Sequence, residues 1–585
     1  MDGYADFKKD ATSCVSTIIS PVENFPPLEW RGPLGLNFAP VNPPMKTFFV
    51  ICAAMLFCAS LSSADETQHH EELTPEQLGT VHFPVSCSPS VQKPFERGVA
   101  LLHSFWYEQA EATFQQIAKD DSRCAMAHWG VAMSLWHELW NHPDTATIKR
   151  GLSEAAIANS FHPKSDRERD YIAAINAFYS GSDNRKYESR ASSYSKTMQR
   201  VYQRNPEDHE AAAFYALSLL AMEPSRDGNR NRKRAAAVLE KVFAIEPNHP
   251  GVIHYLIHTY DSPEMANLGL PAARRYAQIA PAAPHALHMP SHIFARLGLW
   301  QDDINSNLAS IAASRKYAEM GGEGHEFHAM DFLLYAYLQS GREGDAHRLM
   351  KEVKAMPPMK DMYGMGSDPR ISALVAFEAM YALELHNWKE AAELTPVPEA
   401  SDGDNSMTHW ARAIGLAHLG KAEDARKEIA EIEAIHKKLS KEKKSKSMID
   451  AIDQDRKEAE AWAEYAEGKT DHAIGLLRPT ADNATGVFEA SDEIPGREML
   501  ADMLLEMKRP AGALAEYEAD LKTNPNRFNS LYGAARAAQD AGKAEKASDY
   551  FAQLVKNCEG SGSVRPELSE AKEWLAKQQN VSARK

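Results

Sequence analysis

The stretch HYLIHTYDSPEMANLGLPAARRYAQIAPAAPHALHMPSH, His254 to His292, decides how this chain is read. His254 and His258 are four residues apart, His288 and His292 are four apart, and the two pairs are offset by the same 34 positions. Pro247 and Pro281 share that offset, as do Tyr260 and Phe294. A period of 34 residues is the length of a helix–turn–helix repeat, so the pairs occupy the same place on two stacked helices. On each helix the i and i+4 imidazoles fall on one face. The predicted arrangement is therefore two histidine pairs facing each other across adjacent repeats.

Working outward, the period recurs. Gly98, Tyr107, Ala110 and Phe114 form one unit, with Ala132 34 positions after Gly98. Tyr337 and Ala346 fit another, and Gly420 with Ala425 one more. Ala513 and Tyr517 precede the cleanest copy, in which Pro525 closes one unit and Ala535, Gly542, Ala547 and Phe551 follow. At least seven degenerate copies lie between about 91 and 575, which predicts an all-α solenoid and not a closed globule. The segments 261–269 and 356–369 read as loops because Pro and Gly interrupt them. The basic run 436–447 reads as a solvated helix face.

The beginning of the chain reads differently. From Met45 the sequence MKTFFVICAAMLFCASLSSADE has a short basic start, an apolar stretch and small residues before Asp65, the pattern of a secretory signal. Met45 is then the expected true start, 1–44 an upstream or disordered leader, 45–64 the signal and 65–90 a lead-in segment. The repeats divide into an N-terminal array at 91–355 with the histidine-rich groove, a loop at 356–369, middle repeats at 370–447, C-terminal repeats at 448–575 and a tail at 576–585. The expected product is exported, periplasmic or extracellular, with no membrane-spanning segment after processing. In an oxidising compartment Cys87 and Cys124 are candidates for a disulfide tying the lead-in segment to the first repeats, with Cys558 left free. The formal net charge of −16 argues against nucleic acid as a partner.

Motifs such as LLHSFWYEQAEATF, CAMAHWGVAMSLWH, HYLIHTYD, HALHMPSHIFARLGLW and NPNRFNSLYGAARAA resemble those of tetratricopeptide-repeat proteins, and more narrowly an exported bacterial group of them. The resemblance covers most of 91–575. It implies a concave groove lined by the first helix of each repeat, holding a partner protein, a peptide or a small ligand. Carried over by phase, the groove positions are His254, His258, His285, His288, His292, His328 and Asp331, with Glu498, Asp502 and Arg536 further along. In the best-known peptide-binding members the groove carries Lys, Arg and Asn; here its centre is imidazole.

That substitution opens a second reading. His254, His258, His288, His292, His328 and Asp331 offer enough N and O donors for one or two sites for Zn²⁺, Cu²⁺, Ni²⁺ or Fe²⁺. Fifteen of the 23 histidines fall between His103 and His347. The plainer account is that such histidines bond backbone carbonyls and form a polar groove floor. His325 reads as a helix start, and His103 and His137, beside Trp106 and Trp136, as an aromatic wall. Trp129, Trp136 and Trp140 read as core or groove wall. The segment His137-Glu138-Leu-Trp-Asn-His142 fails as a zinc-protease helix because its second histidine is at i+5 and Pro143 follows it. No C-x-x-C, G-x-S-x-G or phosphate-binding glycine loop is present, so redox dithiol, serine hydrolase and nucleotide chemistry have no motif to carry them. Catalysis is left open.

Overall fold

A computed structural model describes residues 73–139, 142–182, 185–222, 229–320, 325–359, 368–482 and 494–582. The leader, the signal pattern from Met45, and Trp140 lie outside the described residues. Within them the chain is all-α, a tetratricopeptide-like stack in which each helix packs on the next and hairpin follows hairpin. No described helix is long and apolar enough to cross a membrane.

The local causes are visible in the sequence. Asp144, Ser165, Asp208, Ser401 and Ser445 accept a backbone N–H at helix starts, which satisfies donors that a bare N-terminus leaves unpaired. Gly341, Gly420 and Gly542 turn the chain between the helices of a hairpin with φ of 67°, 71° and 72°, a conformation nearly free for glycine. At the equivalent turn after the first repeat helix stands Phe105, with φ 53°. A bulky side chain there is strained, and such strain tends to mark a functional position.

Six helices position the site: α1 (Gln92–His103), α2 (Pro250–Tyr260), α3 (Pro284–His288), α4 (Pro290–Arg296), α5 (Trp300–Lys316) and α6 (His325–Gln339). Proline opens α2, α3 and α4, where its missing N–H costs nothing. His249 adds a side-chain cap to α2 by accepting from Val252 N–H. Met289 keeps helical dihedrals between α3 and α4 (φ −51°, ψ −34°), so the interruption at Pro290 preserves the phase from His288 to His292.

The segment 261–269 is only partly a loop: a helix begins at Ala266 and contains Gly269. A Cβ on Gly269 would lie 2.7 Å from Ile293 Cδ1, so this glycine lets two helices approach. In 356–369 the helical structure resumes at Pro369, and the basic run 436–447 joins the helices Ala422–Lys441 and Lys446–Ala466.

The apolar interior divides between Phe294 and Ala295, one cluster running from Leu73 to Phe294 and the next beginning at Ala295. The later repeats also return to the middle of the chain. Trp300 Nε1 donates to the Asn526 carbonyl at 3.0 Å and Asn526 Nδ2 to the Gly298 carbonyl at 3.1 Å, across 226 and 228 positions. The stack is thus braced by contacts that no repeat period encodes. Cys87 and Cys124 are joined in a disulfide, while Cys558 is a buried thiol.

Candidate functional site

The imidazoles converge in two groups of three. His254, His258 and His285 form one, His288, His292 and His328 the other, and within each group the donor atoms lie within 4.8 Å of one another. In the first, His254 Nε2 is 3.1 Å from His258 Nε2. In the second, His288 Nε2 is 3.0 Å from His292 Nε2. Two nitrogens bound to one ion at about 2.0–2.1 Å stand roughly 2.9–3.4 Å apart for bond angles between 90° and 109°. The pairs already have that spacing.

The opposite nitrogens are occupied by acceptors. His254 Nδ1 donates to the carbonyl of His103 at 2.5 Å. His292 Nδ1 donates to Asp261 Oδ2 at 3.0 Å, and Arg296 Nε holds the other oxygen of that carboxylate at 2.9 Å. Burial would raise the Asp261 carboxyl, but Arg296 and His292 hold it well below the usual carboxylate range. His288 Nδ1 donates to Asn307 Oδ1 at 2.7 Å, and that amide is fixed in orientation because its Nδ2 donates to the Asp303 carbonyl at 3.0 Å. With both Nδ1 atoms carrying the proton, the Nε2 atoms of His288 and His292 meet lone pair to lone pair. Such an approach is repulsive unless a positive charge sits between them. Imidazoles oriented through Nδ1 by carboxylate or carbonyl are the arrangement that metal ligation uses.

Burial favours the neutral form of three of the donors. It lowers His254 and His328 to about 3 and His258 well below the ordinary imidazole value. Aromatic rings complete the enclosure. Phe105 lies 4.4 Å from the His254 ring, 5.7 Å from His258 and 5.5 Å from His285. Phe332 lies 5.0 Å from His288 and 4.6 Å from His292. The strained turn at Phe105 therefore aims a ring at the first triad.

These positions differ from an open groove floor. His254 and His288 are almost wholly buried, at 0% and 1% exposed, whereas His258 and His328 are half-buried. His285, read from the sequence as a groove position only, completes the first triad; three residues before His288 on α3, it points its donor to the other group. Asp331, three residues past His328, is outside the second group. Glu498, Asp502 and Arg536 do not form a continuing groove. Glu498 is fully buried and accepts from Arg527, Asp502 accepts from Tyr517, and Arg536 pairs with Glu570 at 2.8 Å. Glu498 is thereby interior, whereas the Arg536–Glu570 pair stays partly exposed.

A third cluster was not legible as a unit. His103 Nε2 is 2.7 Å from Glu210 Oε2, His249 Nε2 is 2.9 Å from Glu210 Oε1, and Tyr255 Oη is 2.9 Å from His103 Nδ1. Burial would raise the Glu210 carboxyl, but the two imidazoles hold it far below its ordinary value. A Cβ on Gly251 would lie 2.3 Å from His103 Nδ1, so this residue must be glycine for His103 to reach α2. Each His103 and Glu210 donor or acceptor is satisfied within this cluster, and its contribution is to join α1 to α2.

His137 stacks on Tyr107 with centroids 4.3 Å apart, and His142 on Tyr187 at 3.4 Å, so the rejected HE segment builds an aromatic wall. Glu138 within it is buried, and burial raises its carboxyl to about 8 against a hydrogen bond from Tyr107. Because this folded value exceeds the unfolded one, the stabilisation is complete below about pH 4.5 and is lost as pH rises through 8. Denaturant melts at pH 6 and pH 9 should show a loss of about 2–3 kcal/mol in the wild type that Glu138→Gln lacks. Parallel pH profiles for the two proteins would refute the assignment.

No family model matches the chain, and no curated protein matches it. Among solved structures it is similar to the human IFIT1 dimer with m7Gppp-AAAA, at 12% identity over 78% of this chain and 94% of that one, with a TM-score of 0.35. It is also similar to a tetratricopeptide repeat protein from Parabacteroides merdae, at 16% identity over 50% of this chain and 97% of that one, TM-score 0.26. The TPR domain of P58(IPK) is similar at 13% identity over 64% and 99%, TM-score 0.19. The stacked hairpins of the present chain themselves define it as a tetratricopeptide-like repeat protein.

Proposed function

We propose that this chain is an exported metal-binding protein, a helical-repeat scaffold whose interior imidazoles hold a divalent transition-metal ion. The observation that carries the reading is the facing of the His288 and His292 Nε2 atoms at 3.0 Å while Asn307 and Asp261 accept from their Nδ1 atoms. An all-nitrogen set of neutral imidazoles suits Zn²⁺, Cu²⁺, Ni²⁺ or Fe²⁺ over Mg²⁺ or Ca²⁺. Export is supported by the signal pattern from Met45 and by the Cys87–Cys124 bridge, since disulfides persist in oxidising compartments. The outer faces of the repeats remain available to a protein or peptide partner, and the metal lies within the array that would present them.

The test is elemental analysis of protein purified without a histidine tag, followed by Zn²⁺ and Cu²⁺ titration of the metal-stripped chain. Ligand at about a hundred times its dissociation constant should stabilise the fold by about 2.7 kcal/mol. The double variant His288→Ala/His292→Ala should show a smaller rise in melting temperature than the wild type. Absence of copurifying metal together with unchanged melting temperatures would overturn the reading.

A further inference from the structure

The two triads adjoin. Rings of one triad bound to a common ion, with each centroid about 3.2 Å from it, stand roughly 4.5–5.5 Å apart for angles of about 90–120° at the ion. The observed centroid separations are 4.8, 4.9 and 6.1 Å among His254, His258 and His285, and 4.9, 4.4 and 5.6 Å among His288, His292 and His328. Between the triads, His258 is 6.2 Å from His292 and His285 is 6.1 Å from His288. The seam between the groups is therefore about as close as the widest contact within one of them.

We propose that the six imidazoles hold two divalent metal ions as one dinuclear centre, closed by a hydroxide that bridges the ions. This rests on the metal-binding reading and extends it to the number of ions and the kind of anion. Charge supplies the argument for the anion. Two divalent ions bring four positive charges to neutral ligands. Asp261 is already matched by Arg296, and the Arg232 guanidinium donates to the His258 and Asp261 carbonyls at 2.8 and 2.9 Å. Asp331, three residues past His328, adds a single further negative charge at most. An excess of buried positive charge is unfavourable, so an anion enters with the metals. A metal lowers the pKa of its bound water by many units, and a second ion on the same oxygen lowers it further. Water bound between the ions then loses one proton to solvent and stays as hydroxide, with no change of oxidation state.

The experiment loads metal-free, untagged full chain with Cu²⁺ at pH 8 in weak buffer and follows ions bound, protons released and electron paramagnetic resonance together. The expected result is two copper ions per chain, loss of the isolated-ion signal through coupling between them, and about one proton released per pair of ions. Neutral imidazoles release none, so the proton reports the bridge. His258→Ala and His328→Ala should each bind one ion and restore the isolated-ion signal, with helicity checked by circular dichroism; His258→Gln and His328→Gln serve if either alanine variant misfolds. One ion per wild-type chain, or two ions with isolated signals, would overturn the dinuclear centre while leaving metal binding intact. Coupled ions without proton release would overturn hydroxide as the bridge. No bound copper at all would overturn the metal-binding reading itself.

Discussion

Arg527→Met should cost about 3–5 kcal/mol of unfolding free energy, the range for removing one partner from a buried ion pair. Arg527 has no exposed surface. Its Nη2 donates to Glu384 Oε1 and to Glu498 Oε1, each at 2.7 Å, its Nε donates to Glu498 Oε2 at 2.9 Å, and Nη1 reaches the Tyr335 hydroxyl at 3.2 Å. Methionine fills the volume but leaves two carboxylates in the interior with their principal cation gone. Asn529 and Ser530 still donate to Glu384 and Glu498, which is not enough to replace a guanidinium. Urea denaturation at pH 7.5 measures the loss. If Glu384→Gln/Glu498→Gln is added to Arg527→Met, most of it should return, because the uncompensated charges are then absent. A variant as stable as the wild type would show that the network contributes nothing. Since Arg527 links positions 143 and 192 residues away in sequence, the variant should also separate the unfolding of the later repeats from that of the α6 region.

That network marks the limit of what a repeat period can tell. The 34-residue offset is a property of neighbours, so it placed His254, His258, His288 and His292 in register, and the prolines opening α2 and α3 agree with it. His328 followed because it lies on the next first helix. The grouping of these residues was not readable. His285 lies on the same helix as His288 yet gives its donor to the other triad, a choice made by how α3 packs against α2. Asp261 and Asn307 hold the imidazoles from a helix end and from α5, positions with no periodic relation to the histidines they fix. Phe105 was hidden for another reason: it occupies a turn where several other repeats use glycine, and only its backbone conformation and its distance to His254 reveal why a bulky residue stands there. Glu498 shows the opposite error. Phase alone placed it on a groove, but Arg527 returns from 29 positions later in the chain and converts that face into interior.

Opening the Cys87–Cys124 bridge should lower stability by about 4 kcal/mol, the loop-closure value for a crosslink spanning 37 positions. The effect should extend to the proposed metal site. The lead-in segment carries Phe83, whose ring lies 5.3 Å from Phe95, 5.4 Å from Trp129 and 5.0 Å from Tyr171, and the bridge ties this segment to Cys124 at the start of the helix Ala125–Ser134. Phe95 is near the beginning of α1, and His103 at the end of the same helix supplies the carbonyl that orients His254. Two residues further, Phe105 covers the first triad. Freedom gained by the lead-in segment is thus transmitted along one rigid helix to the imidazoles on α2. In Cys87→Ser/Cys124→Ser, the denaturation midpoint followed by tryptophan fluorescence should fall, and copper affinity at the triad of His254, His258 and His285 should weaken more than at the triad of His288, His292 and His328, which is oriented from Asp261 and Asn307. Equal weakening at both triads would mean that reduction loosens the whole stack. An unchanged midpoint would mean that packing of Phe83 alone fixes the segment and that the bridge adds nothing to the stability of the fold.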